Sequence, residues 1–372
     1  MKILLIGEYS NVHATLASGL RALGHHVVVV SNGDFWKNYP RDIDWSRSES
    51  RFAGLRLMVR IYADLLHLRG FDIVQLINPM FAELRAQRLF SIYHYLRRHN
   101  KKVVLCAMGM DWYWVHTCTY DKPLRYSDFN IGNVTRTNAD AIKEQKDWMG
   151  TAKERLNKLI AEDCDGIVAG LYEYYVCYRA HFQEKAIYIP LPIQSKPHML
   201  EKLSAKAHVG PLRLFIGINV ERSEYKGTDI MLKAAEDLVR KYPLEVELRV
   251  ARSVPFSRYV EMMNGSDAIL DQLYSYTPSM NSLEAMSRGL ICIGGGEEEH
   301  YDLLGEHELR PIINVQPTYD SVFSQLESLI KHQERIDILK RQSIEYVSRH
   351  YDSIRVAEQY VSFYERLLKT EK

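Results

Sequence analysis

The chain has 372 residues, 46% of them hydrophobic and 26% charged, with a formal net charge of +1. This balance is that of a folded globular protein, and it excludes a disordered polyelectrolyte and any whole-chain case for nucleic-acid binding. The length exceeds what one ordinary core fills and implies two domains. No apolar run approaches the ~18 residues of a membrane span. The apolar start, Met1 to Gly7, is too short for a signal peptide. The five cysteines, Cys106, Cys118, Cys164, Cys177 and Cys292, are scattered without metal-ligand spacing and read as reduced thiols of a cytoplasmic protein.

Lys2 to Ile6 is a buried strand, His13 to Leu23 has helical spacing, and Val27 to Val30 is the next strand. This is a β-α-β unit with Gly7 alone in its first turn. A G-x-G-x-x-G pattern is missing, so a dinucleotide in this half is not expected. Ser46 to Arg69 reads as one long helix. Phe52, Leu55, Met58, Val59, Tyr62, Leu65 and Leu66 share its expected packed face, and Arg56, Arg60, His67, Glu49 and Asp64 the other. A docked surface helix explains this pattern; contact with an anionic membrane surface is the alternative. Ile73 to Ile77 is a strand, Glu83 to Arg98 a helix and Val103 to Ala107 a strand. Met108-Gly109-Met110-Asp111 follows at the strand's carboxyl end, where sites of α/β proteins lie. Asp111 is placed either to bind a hydroxyl or to cap the next turn.

The aromatic stretch from Trp112 to Trp148 does not resolve into elements. Its rings are a candidate wall for stacking on sugar, with core packing as the alternative. Thr151 to Asp163 is a helix, Gly166 to Ala169 a strand, Tyr172 to His181 a helix and Ala186 to Ile189 a strand. Pro190, Pro192 and Pro197 open a polar linker over 194–210.

Leu212 to Ile218 begins the second domain as a buried strand. A loop with Arg222, Lys226 and Gly227 leads into the helix Ile230 to Lys241. Two cations and a glycine between a strand end and a helix start suit a diphosphate, with a solvated charged loop as the alternative. Strand-helix-strand alternation continues to Leu270. Pro278 and Ser279 then open a helix through Leu283 and Met286, which Gly289 stops. Leu290 to Ile293 is a strand buried on both faces, and it runs into Gly294-Gly295-Gly296 and Glu297-Glu298-Glu299. The N–H groups at Met280 and Asn281 are ready for a phosphate, and Glu284 lies one to two turns into the helix. Asp271 is a carboxylate in an apolar run and so requires a partner or a task. Helices over 321–330, 336–350 and 352–369 close the chain.

Glu284-Ala285-Met286, then Gly289, then a buried strand, resembles the donor-binding segment of family 4 (group 1) retaining glycosyltransferases, which have the GT-B fold. The Arg222…Lys226-Gly227 element resembles the family's diphosphate-neutralising cations, with a spacing one residue shorter than in many members. The resemblance spans nearly the whole chain, specific in the second half and loose in the first. It implies two Rossmann-like, doubly wound α/β domains with parallel sheets facing a cleft. Residues 1–193 form the acceptor-side domain, 353–372 a helix packing back on it, and 211–352 the donor domain. It implies transfer of a sugar from a UDP- or GDP-sugar to a glycan or lipid-linked acceptor in cell-surface polysaccharide synthesis. No metal and no separate cofactor are expected, and the place is the cytoplasm or the inner face of the membrane. Lys226 and Arg222 stabilise the leaving group. Glu284, Ser279, Met280, Asn281 and Gly295 bind the donor. Gly7, Asn11, His13 and Asp111 face the acceptor. The family has a second glutamate eight positions before Glu284, where this chain has Tyr276; Asp271 is the expected substitute. Met108 stands at a usual histidine position. A nucleotide-sugar epimerase of the same fold, or a non-catalytic binder, are the alternatives these departures leave open.

Overall fold

The computed structural model describes residues 1–203, 210–219, 223–254 and 256–370. In chain order the first elements are β1 (Lys2–Ile6), α1 (Val12–Ala22), β2 (His26–Ser31), β3 (Ile43–Asp44), α2 (Ala53–Leu65), β4 (Ile73–Leu76), α3 (Ala86–His99), β5 (Lys102–Ala107) and α4 (Trp112–His116). A short hairpin, β6 (Asn130–Ile131) and β7 (Val134–Thr135), precedes α5 (Ala139–Trp148), α6 (Ala152–Asp163), β8 (Gly166–Ala169), α7 (Tyr172–Arg179), β9 (Ala186–Tyr188) and α8 (Met199–Lys202). The remainder is β10 (Leu212–Ile218), α9 (Ser223–Lys226), α10 (Thr228–Lys241), β11 (Val246–Arg252), α11 (Phe256–Met263), β12 (Ala268–Leu270), α12 (Met280–Ser287), β13 (Ile291–Gly294), α13 (Glu298–Leu304), β14 (Ile313–Asn314), α14 (Tyr319–Lys331), α15 (Glu334–His350) and α16 (Ser353–Lys369).

Two compact units result. One comprises Met1–Pro123, Lys143–Pro192 and Ser353–Lys372, the other Leu124–Ile142 and Ile193–Asp352. The first holds a seven-stranded parallel sheet in the order β3-β2-β1-β4-β5-β8-β9. The second holds a five-stranded parallel sheet in the order β11-β10-β12-β13-β14. Each order reverses direction once, between β1 and β4 and between β10 and β12. A crevice opens at such a reversal beyond the strands' carboxyl ends.

Helices cover both faces of each sheet, so the strands read as continuous apolar runs. In β10, Leu214 and Ile216 join the core with Met231, Leu238 and Leu326, and Phe215 packs on the other face with Ile269, Met263 and Ala285. The final helix α16 lies on α1 within the first unit. A Cβ on Gly19 would come within 2.2 Å of the Ser353 carbonyl oxygen. Tyr364 on the same helix donates to Gln75 Oε1 at 2.6 Å in the buried interior.

Three expectations need correction. The long helix starts only at Ala53, and the face it buries is Ala53, Leu57, Ile61 and Leu65. Phe52, Leu55, Val59, Tyr62 and Leu66 of the expected packed face are exposed. The helix is apolar on two opposite sides, so hydrophobicity alone does not orient it. The expected sugar-stacking wall does not form from the tryptophans either: Trp112, Trp114 and Trp148 are buried in packing. The stretch 124–142, expected in the first domain, groups with the second unit.

Two glycines in helices separate propensity from packing. Alanine gains roughly 1 kcal/mol over glycine in a helix interior, while overpacking against fixed backbone costs about 1–3 kcal/mol. At Gly54 the nearest atom to an added Cβ is the mobile Arg47 guanidinium, at 3.6 Å. Gly54→Ala is expected to raise the melting temperature and Gly19→Ala to lower it, as thermal denaturation of the two variants will read.

Candidate functional site

In the first unit the loop after β1 lies at the β1/β4 reversal. Gly7 has φ +85°, and a Cβ there would sit 2.3 Å from Ile77 Cγ2, so only glycine lets the two strand ends approach. Asn11 precedes α1 in the left-handed region, φ 71°. His13 is fully buried. Its Nδ1 donates to the Gly7 carbonyl at 2.8 Å, which leaves Nε2 to accept from Gln75 Nε2 at 3.2 Å. Burial lowers its pKa to about 4, so it is neutral.

The backbone donors of α1's first turn are already taken. Glu8 accepts from His13 N at 3.3 Å and from Ala14 N at 2.8 Å. Asp34 accepts from Ser10 N at 2.8 Å and pairs with Lys37 at 2.6 Å. Acidic side chains of the chain itself thus occupy the position a helix start offers to an anion. Burial raises the Glu8 pKa to about 8 against the backbone hydrogen bonds that lower it. Asp111 is also fully buried. It caps α4 by accepting from Trp114 N at 2.9 Å and takes the Tyr178 hydroxyl at 2.8 Å, and burial raises its pKa to about 7. In this geometry Asp111 organises the turn and presents no oxygen to solvent.

In the second unit the segments after β10, β12 and β13 come together at the β10/β12 reversal. Lys226 ends α9, and its carbonyl accepts from Leu273 N at 3.0 Å. Gly227 follows with φ +72°, where a Cβ would lie 2.9 Å from Leu273 Cβ. Arg222 lies outside the described residues. Asp271 accepts from Ser279 N at 3.2 Å and Ser279 Oγ at 2.9 Å, anchoring the start of α12 with both oxygens. Among the described residues the N–H groups of Met280 and Asn281 have no partner, as expected for a helix's first turn. The Asn281 side chain donates to the Tyr259 hydroxyl at 2.6 Å. Gly295 abuts the same loop: a Cβ would lie 2.1 Å from the Ser275 carbonyl oxygen.

Glu284 is paired twice. Lys196 Nζ lies 2.9 and 3.0 Å from its two oxygens, and Arg288 reaches Oε1 at 2.9 and 2.6 Å. Three of these bonds crowd Oε1, and Oε2 keeps lone-pair capacity.

Sequence reasoning missed a third layer. Arg125 N donates to the Tyr276 hydroxyl at 2.8 Å, and its guanidinium lies 5.0 Å from that ring. The guanidinium binds Glu297 at 2.6 Å and also Glu299. The Tyr126 hydroxyl donates to Glu297, as does Gln316 Nε2 at 2.8 Å. Burial opposes charge on Glu297, but these bonds and the Arg125 charge outweigh it and hold its pKa low. Tyr276 is buried and its phenol is pushed up to about 12, mainly by burial. Arg136 donates to the Glu224 and Tyr225 carbonyls at 2.9 and 3.2 Å and stacks on Tyr274 at 3.6 Å. The stretch 124–142 is therefore laced to α9, to the loop after β12 and to the start of α13. Among the described residues no three His, Cys, Asp or Glu side chains group as a metal site would require.

No family model matches the sequence, and a comparison with curated proteins gives no match. Solved structures do match. Sucrose-phosphate synthase from Thermosynechococcus elongatus superposes with TM-score 0.61 at 13% identity, over 99% of each chain. HepE from Anabaena, in complex with UDP-glucose, matches with TM-score 0.57 at 12% identity, over 98% of this chain and 100% of that one. A structure described as a UDP-N-acetylglucosamine 2-epimerase from Listeria monocytogenes matches with TM-score 0.54 at 10% identity, over 100% and 98%. The chain has the GT-B fold, as the residues around Glu284 lead one to expect.

The buried Glu8 sets a pH dependence. Its folded pKa lies above the ordinary carboxylate value, so its stabilising contribution is full below about 4.5 and is lost as pH rises through about 8. The full swing is on the order of a few kcal/mol. Melting temperature should fall between pH 5 and 8.5 (approximate bounds) in the native protein, and fall less in Glu8→Gln, where the burial-raised Asp111 still titrates in this range. Equal slopes would place the titration elsewhere.

Proposed function

We propose that the protein is a retaining glycosyltransferase of the family 4 type. Its second unit binds a nucleoside-diphosphate sugar, and its first unit recognises a glycan or lipid-linked acceptor. The observation that carries this reading is the convergence of Lys226, the α12 start and Gly295 on one strand reversal. Lys226 is fixed by its carbonyl to the loop after β12, and that loop is in turn clamped to α12 by Asp271 and Ser279. A cation, two helix-start N–H groups and a glycine that clears space are what a diphosphate leaving group requires. The HepE complex with UDP-glucose supports a nucleotide sugar as the ligand of such a fold.

In the reaction the acceptor hydroxyl oxygen bonds to the sugar C1 on the face the diphosphate leaves. The C1–O bond breaks with its electron pair going to the phosphate, and the hydroxyl proton follows to that phosphate oxygen. Lys226 and the N–H groups of Met280 and Asn281 hold the charge that develops, which is the role a divalent cation has elsewhere. Asp271 acts by positioning α12. Glu284 takes a ribose hydroxyl on Oε2 while Lys196 and Arg288 hold the carboxylate in place. The setting would be polysaccharide synthesis in the cytoplasm, at the inner face of a membrane.

Incubation with a panel of UDP-, GDP- and ADP-sugars tests the reading. Hydrolysis or transfer, unchanged by a chelator, is the expected result. Exchange of sugar epimers without an acceptor would make the protein an epimerase, and binding without turnover a non-catalytic binder. With the donor identified, Lys226→Ala should lower turnover by about 10²–10³-fold, the usual effect of removing one preorganised donor. Its melting temperature should stay near the native value. A near-native rate would remove the diphosphate assignment.

A further inference from the structure

Helix α2 is apolar on two opposite sides. Ala53, Leu57, Ile61 and Leu65 point into the first unit. Phe52, Leu55, Val59, Tyr62 and Leu66 are 59, 55, 61, 41 and 56% exposed. At about 100° per residue these five fall within an arc of roughly 80°, opposite the buried stripe. Single exposed apolar residues are ordinary, but a continuous stripe of five along one helix is a patch that needs a cover.

Its surroundings are basic. Between positions 47 and 69 the chain has five arginines against two carboxylates, and one of those, Asp64, is held by Trp45 Nε1 at 2.9 Å. Arg56 and Arg60 lie along one edge of the stripe. They reach only the Ser50 hydroxyl at 3.4 Å and the Asp44 carbonyl at 3.2 Å, and neither has an ion pair among the described residues. Beside the start of α2 lies a groove of about 350 Å³ whose walls include Leu55, Met58, Leu84, Arg47, Arg85 and Arg88. Glu83 is the one acid there, and the three arginines have no ion pair among the described residues.

We propose that this α2–α3 face docks on the surface of a bilayer containing anionic lipid. The stripe enters the boundary between headgroups and acyl chains, and the arginine groove takes a lipid phosphate. Charge complementarity selects this occupant. Guanidiniums without carboxylate partners, beside a linear apolar stripe, match a surface that offers phosphates at its rim and hydrocarbon beneath. Thirteen residues of α2 span about 20 Å, which suits a helix lying in the interface plane. Among the described residues no helix is long and apolar enough to cross a membrane, so docking is by the face. No residue of the second unit enters this argument, so it stands or falls apart from sugar transfer.

The test is flotation of the full chain with vesicles of phosphatidylcholine alone, or with about one-third phosphatidylglycerol, at about 0.1 M salt. The native chain should float with the anionic vesicles and scarcely with the neutral ones. Leu55→Ser/Val59→Ser/Leu66→Ser should weaken partitioning at least tenfold or so. Arg47→Gln/Arg85→Gln/Arg88→Gln should remove the preference for phosphatidylglycerol, since each basic group near an anionic surface raises partitioning roughly fivefold. All six residues are exposed, so melting temperatures should hold. Leu244→Ser, at an 89% exposed leucine of the second unit, should change nothing. Failure to float, equal binding to both vesicles, or binding untouched by both triple variants would overturn the proposal. So would a native dimer that the leucine–valine variant dissolves while no vesicle binding is seen, because the stripe would then be a contact between copies.

Discussion

The parallel pairing of β10 with β12 is the constraint on which the candidate site depends. Leu214, Phe215 and Ile216 lie opposite Ala268, Ile269 and Leu270, so β12 ends two residues short of β10, and both run out toward the same edge of the sheet. The chain reverses beyond each end, and the two reversals must share one small space. Glycine at 227 and at 295 makes this sharing feasible, because a side chain at either would overlap Leu273 or the Ser275 carbonyl. Backbone bonds then fix the arrangement: Leu273 N to the Lys226 carbonyl, and Asp271 N to the Ile293 carbonyl, both at 3.0 Å. The Lys226 backbone and the loop leading to α12 are held in mutual register by these main-chain bonds, which is the preorganisation that the proposed diphosphate role draws on.

Much of this was legible because parallel strands covered on both faces are written as apolar runs. Leu212 to Ile218 and Gly166 to Ala169 match their strands residue for residue. Helix positions followed the 3.6-residue period, and the ends moved by a few residues. Orientation was not always readable. In α2, alanine at 53 lines the buried side while phenylalanine at 52 and leucine at 55 face outward, which inverts what hydrophobic weight suggests. Packing on α2 is decided by fit, with Trp45 buried beside it and bonded to Asp64, and a periodicity argument does not see fit.

The stretch 124–142 was illegible for a different reason. It contains only two-residue strands and the start of one helix, so it has little periodicity to read. What holds it are side-chain bonds to residues far along the chain: Arg125 to Glu297, Tyr126 to Glu297, Arg136 to the Glu224 carbonyl. Local sequence carries no signal for such partners. The one available hint was negative. Tyr276 stands where the resemblance leads one to expect a carboxylate, and the structure shows its hydroxyl and ring engaged by Arg125.

The two halves of that cluster differ in how firmly they are held. Glu297 is 8% exposed in its side chain and receives Tyr126 and Gln316 from within the fold. Arg125 is 53% exposed in its side chain. An ion pair with one partner in solvent contributes little, about 0–1 kcal/mol, whereas a buried carboxylate stripped of its donors costs several. Glu297 is thus anchored whether or not Arg125 stays, and Arg125 can turn toward solvent at small cost. Glu284 follows the other pattern. Lys196 and Arg288 are both partly buried, with side-chain exposures of 23 and 26%, and together they hold the carboxylate in one orientation. The chain therefore keeps one firmly held carboxylate at the start of α13 and another on α12, while the more exposed partner of the first is the Arg125 cation.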